Sequence, residues 1–265
     1  RIIRTAKDND IYYYAKEIEI NRKRFKTPLS VRHHSIPSSQ LPKLNYNGMY
    51  EIWKTIKTSD LNNILTDPKI EHTLANKIAS RNNNNTQNNT KTYFLAIKGF
   101  DGNPLNFFNE QLIEFLISAV FLHTDIVTFP IIRKLHNYIT TPRQRDKLID
   151  FINISYEIAD TLNNKPIMAV IQPFAIKYMK SIIRTYLDLG INLFCFNFGG
   201  SGLSGYYPNY FKALRELYRY DRHTFEDRIK YIINLKLPSN RYRQEAYPAE
   251  DMMIPALATD IIGIN

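Results

Sequence analysis

Three stretches of the sequence carry residue types that could recognise or transform a ligand. In "IMAVIQPF" (167–174) an apolar run ends in Gln172, ahead of Pro173. A carboxamide donates and accepts at once, which suits the edge of a heterocyclic base or a pair of sugar hydroxyls. Its ordinary use is to cap the following helix or to tie down a loop. In "NLFCFNFGGSG" (192–202) a second apolar run delivers Asn197, Gly199, Gly200 and Ser201. Paired glycines can adopt positive φ and let a planar ligand approach backbone N–H donors, or they simply make the turn. No lysine follows them and the spacing is not that of a phosphate-binding loop. In "GFDGNP" (99–104) Asp101 is either a catalytic carboxylate or one half of an ordinary Asp-Gly turn.

The other polar residues sort by charge. Arg32, Arg215, Arg219, Arg222, Arg241 and Arg243 are candidates for phosphate contacts, and those near the end are interleaved with Tyr206, Tyr207, Tyr210, Tyr218, Tyr220 and Tyr242. Arginine forks on phosphate with tyrosines stacked on exposed bases would have this composition, as would a solvated helical surface. A formal charge of +10 favours a polyanionic partner. His33 and His34 are adjacent, an awkward geometry for one metal, and His72, His123, His136 and His223 read as ordinary histidines in or near helices. Cys195 is the one cysteine, so a disulfide or a cysteine zinc knot within these residues is excluded and no metal site is expected here.

These residues need elements to position them. "TPLSV" (27–31), "TYFLAIKG" (92–99), "DIVTFPII" (125–132), "KPIMAVIQ" (165–172), "INLFCFNF" (191–198) and "IIGIN" (261–265) read as strands. Helices are expected over 48–65, from the spacing of Met49, Ile52, Trp53 and Ile56, and over 104–121, 142–162, 174–189, 208–220 and 224–237. Strands that are apolar throughout suit a parallel sheet covered on both faces, and repeated β-then-α units give a barrel or an open doubly wound sheet. The expected fold is α/β, a TIM-like (β/α)8 barrel in one domain over 1–265, incomplete or fragmentary toward its C-terminus. No glycine loop follows the first strand, which argues against the open sheet. A basic N-terminal segment covers 1–26, and "NNNNTQNN" (82–89) is a low-complexity surface insert. In either fold, ligands collect at the carboxyl ends of the strands, where Lys98, Pro130, Arg133 and Asn265 join the residues above.

"KPIMAVIQ", followed 27 residues after Gln172 by the Gly199–Gly200 pair, resembles the tRNA-guanine transglycosylases and their relatives that place deazaguanine bases in nucleic acid. "RFKTPLSV" looks like that family's opening strand, and the likeness extends in outline over 24–265. The resemblance implies a barrel in which glutamine and glycine backbone recognise the exchanged base. It also marks departures. The aspartate that the family carries after its opening strand has no counterpart in "RHHSIPSS" (32–39). In "ATDIIGIN" (258–265) Asp260 matches the first acid of the family's late-strand motif, while Gly263 stands at the nucleophile's position; a three-residue shift makes Asp260 the nucleophile.

Three functions compete: exchange or insertion of a guanine-type base in tRNA or DNA, with Asp260 as nucleophile; nucleic-acid binding by a noncatalytic relative; and an unrelated barrel enzyme for a phosphorylated metabolite, working through Lys98, Asp101 and the glycine loop. No cofactor is expected within these residues, and a zinc site only in a longer chain. Nucleic acid is the expected partner, with a homodimer or partner subunit as a further option. The absence of long apolar runs and of a leader-like start leads us to expect a cytoplasmic protein with no membrane partner.

Overall fold

The computed structural model describes residues 1–8, 13–27, 29–33, 48–62, 64–79, 89–162, 165–201, 203–235 and 259–263. Its first three strands, β1 (Ile2–Asp8), β2 (Tyr13–Ile20) and β3 (Lys23–Lys26), form an antiparallel sheet where a basic segment was expected. Alternation explains it: in β2, Lys16, Ile18 and Ile20 are buried while the residues between them are half-exposed, the period-2 pattern of a sheet with one covered face.

The remaining strands all pair in parallel. They are β4 (Leu29–Ser30), β5 (Arg32–His33), β6 (Met49–Lys57), β7 (Thr90–Lys98), β8 (Val127–Thr128), β9 (Ile131–Ile132), β10 (Ile167–Ile171), β11 (Leu193–Asn197), β12 (Ile229–Ile233) and β13 (Ile261–Ile262). One sheet runs β4-β13-β12-β11-β10-β8 and the other β5-β6-β7-β9. Residues 29–33 and 127–132 each give a short strand to both sheets. The described residues hold five α-helices: α1 (Pro68–Ala79), α2 (Glu110–Phe121), α3 (Pro142–Thr161), α4 (Ile176–Asp188) and α5 (Leu203–Tyr220). The chain is thus mixed α/β with parallel sheets.

Two segments read as helices are strands. Met49, Ile52, Trp53 and Ile56 have helical spacing, yet they sample both faces of β6: Met49 and Trp53 join one core, Ile52 and Ile56 another. A strand buried on both sides loses its alternation and imitates a helix. The same holds for β12, whose five residues are all buried. Capping is local, and the Thr141 start was legible, whereas the helix expected from Pro104 begins at Glu110 and the one expected from Pro208 begins at Leu203. Asn109 accepts the Leu112 N–H at 2.8 Å, and Thr141 and Gln144 form a capping box around Pro142. Of the low-complexity stretch 82–89, residues 82–88 lie outside the described residues, and Asn89, expected in a surface insert, is buried and accepts the Gly48 N–H at 2.9 Å.

The two faces of the parallel strands feed separate cores. On the helix side, Ile113, Ile117, Ile152, Met179, Ile183 and Leu217 pack onto the strands, and Leu74, Ile78, Leu112 and Leu116 of α1 and α2 form a further cluster with β6 and β7. The core on the other side is bounded by strands alone, with Phe94, Met168, Cys195 and Tyr231 at its centre. Ile18, Ile20 and Phe25 of the antiparallel sheet join this second core. Each such side chain, fully buried, stabilises the fold by about 1.5–3 kcal/mol. Polar ties hold the antiparallel sheet against the amino ends of the strands. Lys16 Nζ donates to the Arg228 carbonyl at 2.9 Å, just before β12, and Lys23 Nζ pairs with Asp125 at 2.6 Å, just before β8. The opposite, carboxyl ends are left for a site.

Candidate functional site

A cavity of about 470 Å³ opens at those carboxyl ends. Trp53 and Thr55 reach it from β6, Ala96 from β7 and Ile131 from β9. Gln172 and Pro173 enter after β10, Asn197, Gly199 and Gly200 at the end of β11, and Asn234 and Leu235 after β12. Arg133, Lys134 and His136, following β9, complete the wall. The structure therefore brings together four of the five residues expected to bind substrate. Ser201 is exposed beside the rim and is not among the lining residues.

The glycine pair works differently from the expectation. Gly199 (φ 62) and Gly200 (φ 80) occupy the left-handed region, where glycine carries no Cβ penalty. Their N–H groups, however, are already used within the protein. Gly199 N–H donates to Asn197 Oδ1 at 2.9 Å, Gly200 N–H to the Asn234 carbonyl at 2.9 Å and Ser201 N–H to the Phe198 carbonyl at 3.0 Å. Asn197 Oδ1 also accepts from Asn234 Nδ2 at 2.9 Å, which orients its Nδ2 as the donor end of the amide. Gln172 Nε2 donates to the Ile132 carbonyl at 3.0 Å, which fixes the side chain and orients Oε1 as its acceptor end. The rim thus presents side-chain amides, while the glycines shape the turn that holds Asn197.

Trp53 supplies the planar surface. Its ring stacks on Phe94 with centroids 4.6 Å apart and planes inclined by 26°, and its Nε1 donates to Glu51 Oε2 at 2.7 Å. Glu51 is fully buried beneath it and also accepts the Tyr231 hydroxyl. Neither Trp53 nor Glu51 was expected at a site, because the segment was read as a helix. A strict alternation through Met49, Glu51, Trp53 and Thr55 would have put them on one face.

His136, read as an ordinary helical histidine, lies in a short 3-10 turn (Leu135–Asn137) against the cavity. Its Nδ1 is buried and meets no hydrogen-bond partner among the described residues. Burial, and then the positive charge of Lys134, hold its pKa below the usual histidine value.

Asp260 is corrected outright in position. It precedes β13, at the amino end of the strands, and is 3% exposed. Its carboxylate pairs with Lys16 at 2.9 Å and accepts the Lys230 N–H at 2.8 Å, with Lys230 Nζ at 3.8 Å. Burial pulls the Lys230 pKa down to about 7. Asp260 is a structural ion-pair partner on the face opposite the cavity. Gly263 has no room for a side chain as the strands stand: a Cβ there would meet the Glu51 carboxylate and lie 2.8 Å from the Ile232 carbonyl. Asp101 is exposed in the turn beyond β7, on the cavity's side of the sheet but not among its lining residues.

Of the expected phosphate contacts, Arg215 and Arg219 are exposed on α5, and Arg222 is exposed just past it with its guanidinium 5.8 Å from the Tyr218 ring centre. Tyr207, Tyr218 and Tyr220 are exposed as a stacking surface requires, but Tyr210 is fully buried and hydrogen-bonds Thr259. Arg32 lies in β5, and Arg241, Arg243 and Asn265 lie outside the described residues. The described residues contain no cluster of three or more potential metal ligands, and no helix among them is long and apolar enough to cross a membrane. No family model matches this sequence, and no curated protein matches it.

Proposed function

We propose that the chain is a (β/α)8 barrel whose mouth holds a guanine-type base presented by tRNA or DNA, in the manner of a transglycosylase-like protein. Barrel closure is supported by the pairing pattern. Eight parallel runs (29–33, 49–57, 90–98, 127–132, 167–171, 193–197, 229–233 and 261–262) each join the next, and the last pairs with the first. The antiparallel sheet then plugs the amino end of this barrel, and the working face is the other one.

The observation that carries the reading is the convergence of Gln172, Asn197 and Trp53 on one cavity. An acceptor and a donor at the edge, with an aromatic face beside them, fit a planar heterocycle with a mixed hydrogen-bonding edge. A flipped or single-stranded base would enter from the open end, and the net charge of +10 suits the polyanion that carries it. Exchange of that base needs a carboxylate or an equivalent nucleophile at the sugar carbon. The described lining residues include none, and Asp260 is committed elsewhere, so recognition without transfer is the form of this function that the geometry supports best. Asp101, beyond β7, is the remaining carboxylate candidate for a transfer step.

The test is incorporation of labelled guanine or a deazaguanine into bulk tRNA and duplex DNA, beside retention of both polymers at rising salt. We expect salt-dependent retention that Gln172→Leu and Asn197→Ala each weaken by about ten-fold, the cost of one recognition hydrogen bond in a buried site. Incorporation that Asp101→Asn abolishes would make the protein an enzyme. Equal retention by wild type and both amide variants would sink the reading.

A further inference from the structure

The cavity wall is chemically divided. Arg133, Lys134 and His136 come from one short segment after β9, whereas the contributions following β10, β11 and β12 are uncharged: amides, glycines, Pro173 and Leu235. No acidic residue is among those lining the cavity. A volume of about 470 Å³ lies within the range of pockets that enclose a ligand larger than a lone heterocycle.

The basic segment is a held turn. Arg133 N–H donates to the Ile97 carbonyl at 2.9 Å, anchoring the segment to β7. Lys134 adopts φ 59, ψ 23, a left-handed conformation unusual for lysine, and its carbonyl accepts the Asn137 N–H at 3.0 Å. Leu135, 3% exposed, pins the turn from the protein side. Lys134 and His136, on either side of this leucine, both line the cavity. An unusual backbone state held by its surroundings is a recurrent feature of ligand clamps.

We propose that Arg133, Lys134 and His136 form an anion subsite that takes the phosphate of the same nucleotide unit whose base meets Trp53, Gln172 and Asn197. This inference rests on the base-binding reading for the base half of the ligand, but the subsite itself stands on the basic turn. Arginine and lysine supply charge-assisted hydrogen bonds to phosphate oxygens, and His136 adds a third donor. The ligand class is therefore a nucleoside monophosphate or one nucleotide of a strand, rather than a free base.

Trp53 is the one tryptophan in the chain and lines the cavity, so its fluorescence reports binding directly. Guanine, guanosine, guanosine 5′-monophosphate, ribose 5-phosphate and inorganic phosphate are titrated separately. We expect the monophosphate to bind about ten-fold or more tighter than guanosine at low salt, one charge-assisted contact's worth. Inorganic phosphate should compete with it. The advantage should vanish in Arg133→Ala/Lys134→Ala, and shrink as the screening length falls from about 10 Å at 0.1 M salt to about 3 Å at 1 M. Arg145→Ala/Lys147→Ala, which removes the same charge from α3 away from the cavity, should leave the advantage intact. Equal affinity for guanosine and its monophosphate, or an advantage that survives the first double variant, would overturn the subsite while leaving base recognition standing. Ribose 5-phosphate binding as tightly as the nucleotide, with guanine and guanosine silent, would do the reverse: the subsite holds and the base reading falls.

Discussion

Single residues decide which end of the strands can do chemistry. Asp260 illustrates the difference between an acid at the right place in a motif and an acid at the right place in space. Its carboxylate sits between the buried amine of Lys16 and the backbone of Lys230, so its contribution is to stability. Breaking a buried pair by removing one partner costs about 3–5 kcal/mol, because the other charge is left without compensation. Asp260→Asn should therefore lower the unfolding free energy extrapolated from urea titration by that order while leaving the Trp53 emission of the folded protein unchanged. A variant as stable as wild type but defective in base exchange would restore Asp260 to a catalytic role. Glu51, invisible to motif reasoning, touches the cavity wall through Trp53, whose Nε1–H it accepts at 2.7 Å.

At the scale of elements, the turn between β11 and α5 is set by the two left-handed glycines and by the Asn197 side chain that receives one of their N–H groups. Added methyl groups would meet little: only Pro173 Cγ at 3.6 Å for Gly199, and nothing close for Gly200. The cost of substitution is therefore conformational, about 1–2 kcal/mol for each residue forced to keep positive φ. Gly199→Ala and Gly200→Ala should each lose about that much stability by chemical denaturation. Both should also weaken nucleotide-induced Trp53 quenching, because the turn positions Asn197. Full stability in either variant would mean that the turn can relax to negative φ. Gly263→Ala is the sterically opposite case, since its methyl group would collide with Glu51 and the Ile232 carbonyl. These glycines were readable as turn formers from sequence, but their N–H groups were misjudged as ligand donors, because their internal acceptors come partly from β12, a strand that was read as a helix.

Across the whole molecule, burial sets both the acid response and the thiol. Burial lowers the pKa of His123 and His136, and it brings Lys230 to about 7. In each case the folded-state value lies below the unfolded one, so the unfolded chain binds more protons and stability rises with pH. The histidine contribution is complete above about pH 6.5 and is lost as pH falls further, through the folded values. The urea midpoint should therefore decline on acidification below about pH 6.5, and His136→Gln should flatten that decline. A midpoint indifferent to pH in this range would contradict the burial of both rings. Cys195 is fully buried in the core bounded by strands, and burial, with the nearby Glu51 charge second, pushes its pKa well up. Thiol reagents should label it only when the whole fold opens, at the global unfolding rate.

The sequence alone determined the α/β class, the parallel character of the apolar strands, the Thr141-capped start of α3 and the placing of Gln172 and the Asn197–Gly200 turn at strand ends. These are local matters of periodicity, capping and turn chemistry, written within a few residues of where they act. Tertiary structure decided the rest. Whether 49–57 and 229–233 are strands depended on burial from both sides, which erases alternation. Whether Asp260 faces a ligand or a lysine depended on which end of a strand it occupies and on Lys16, 244 residues away in sequence. The basic turn after β9 joins the cavity because Ile97 and Gln172, distant in sequence, hold it in place: the Ile97 carbonyl accepts the Arg133 N–H, and Gln172 Nε2 donates to the carbonyl of Ile132, at the start of the turn. Such long-range contacts leave no periodic trace in the chain, so a pocket can be half legible: its strand-end amides were in view, and its indole and basic wall were not.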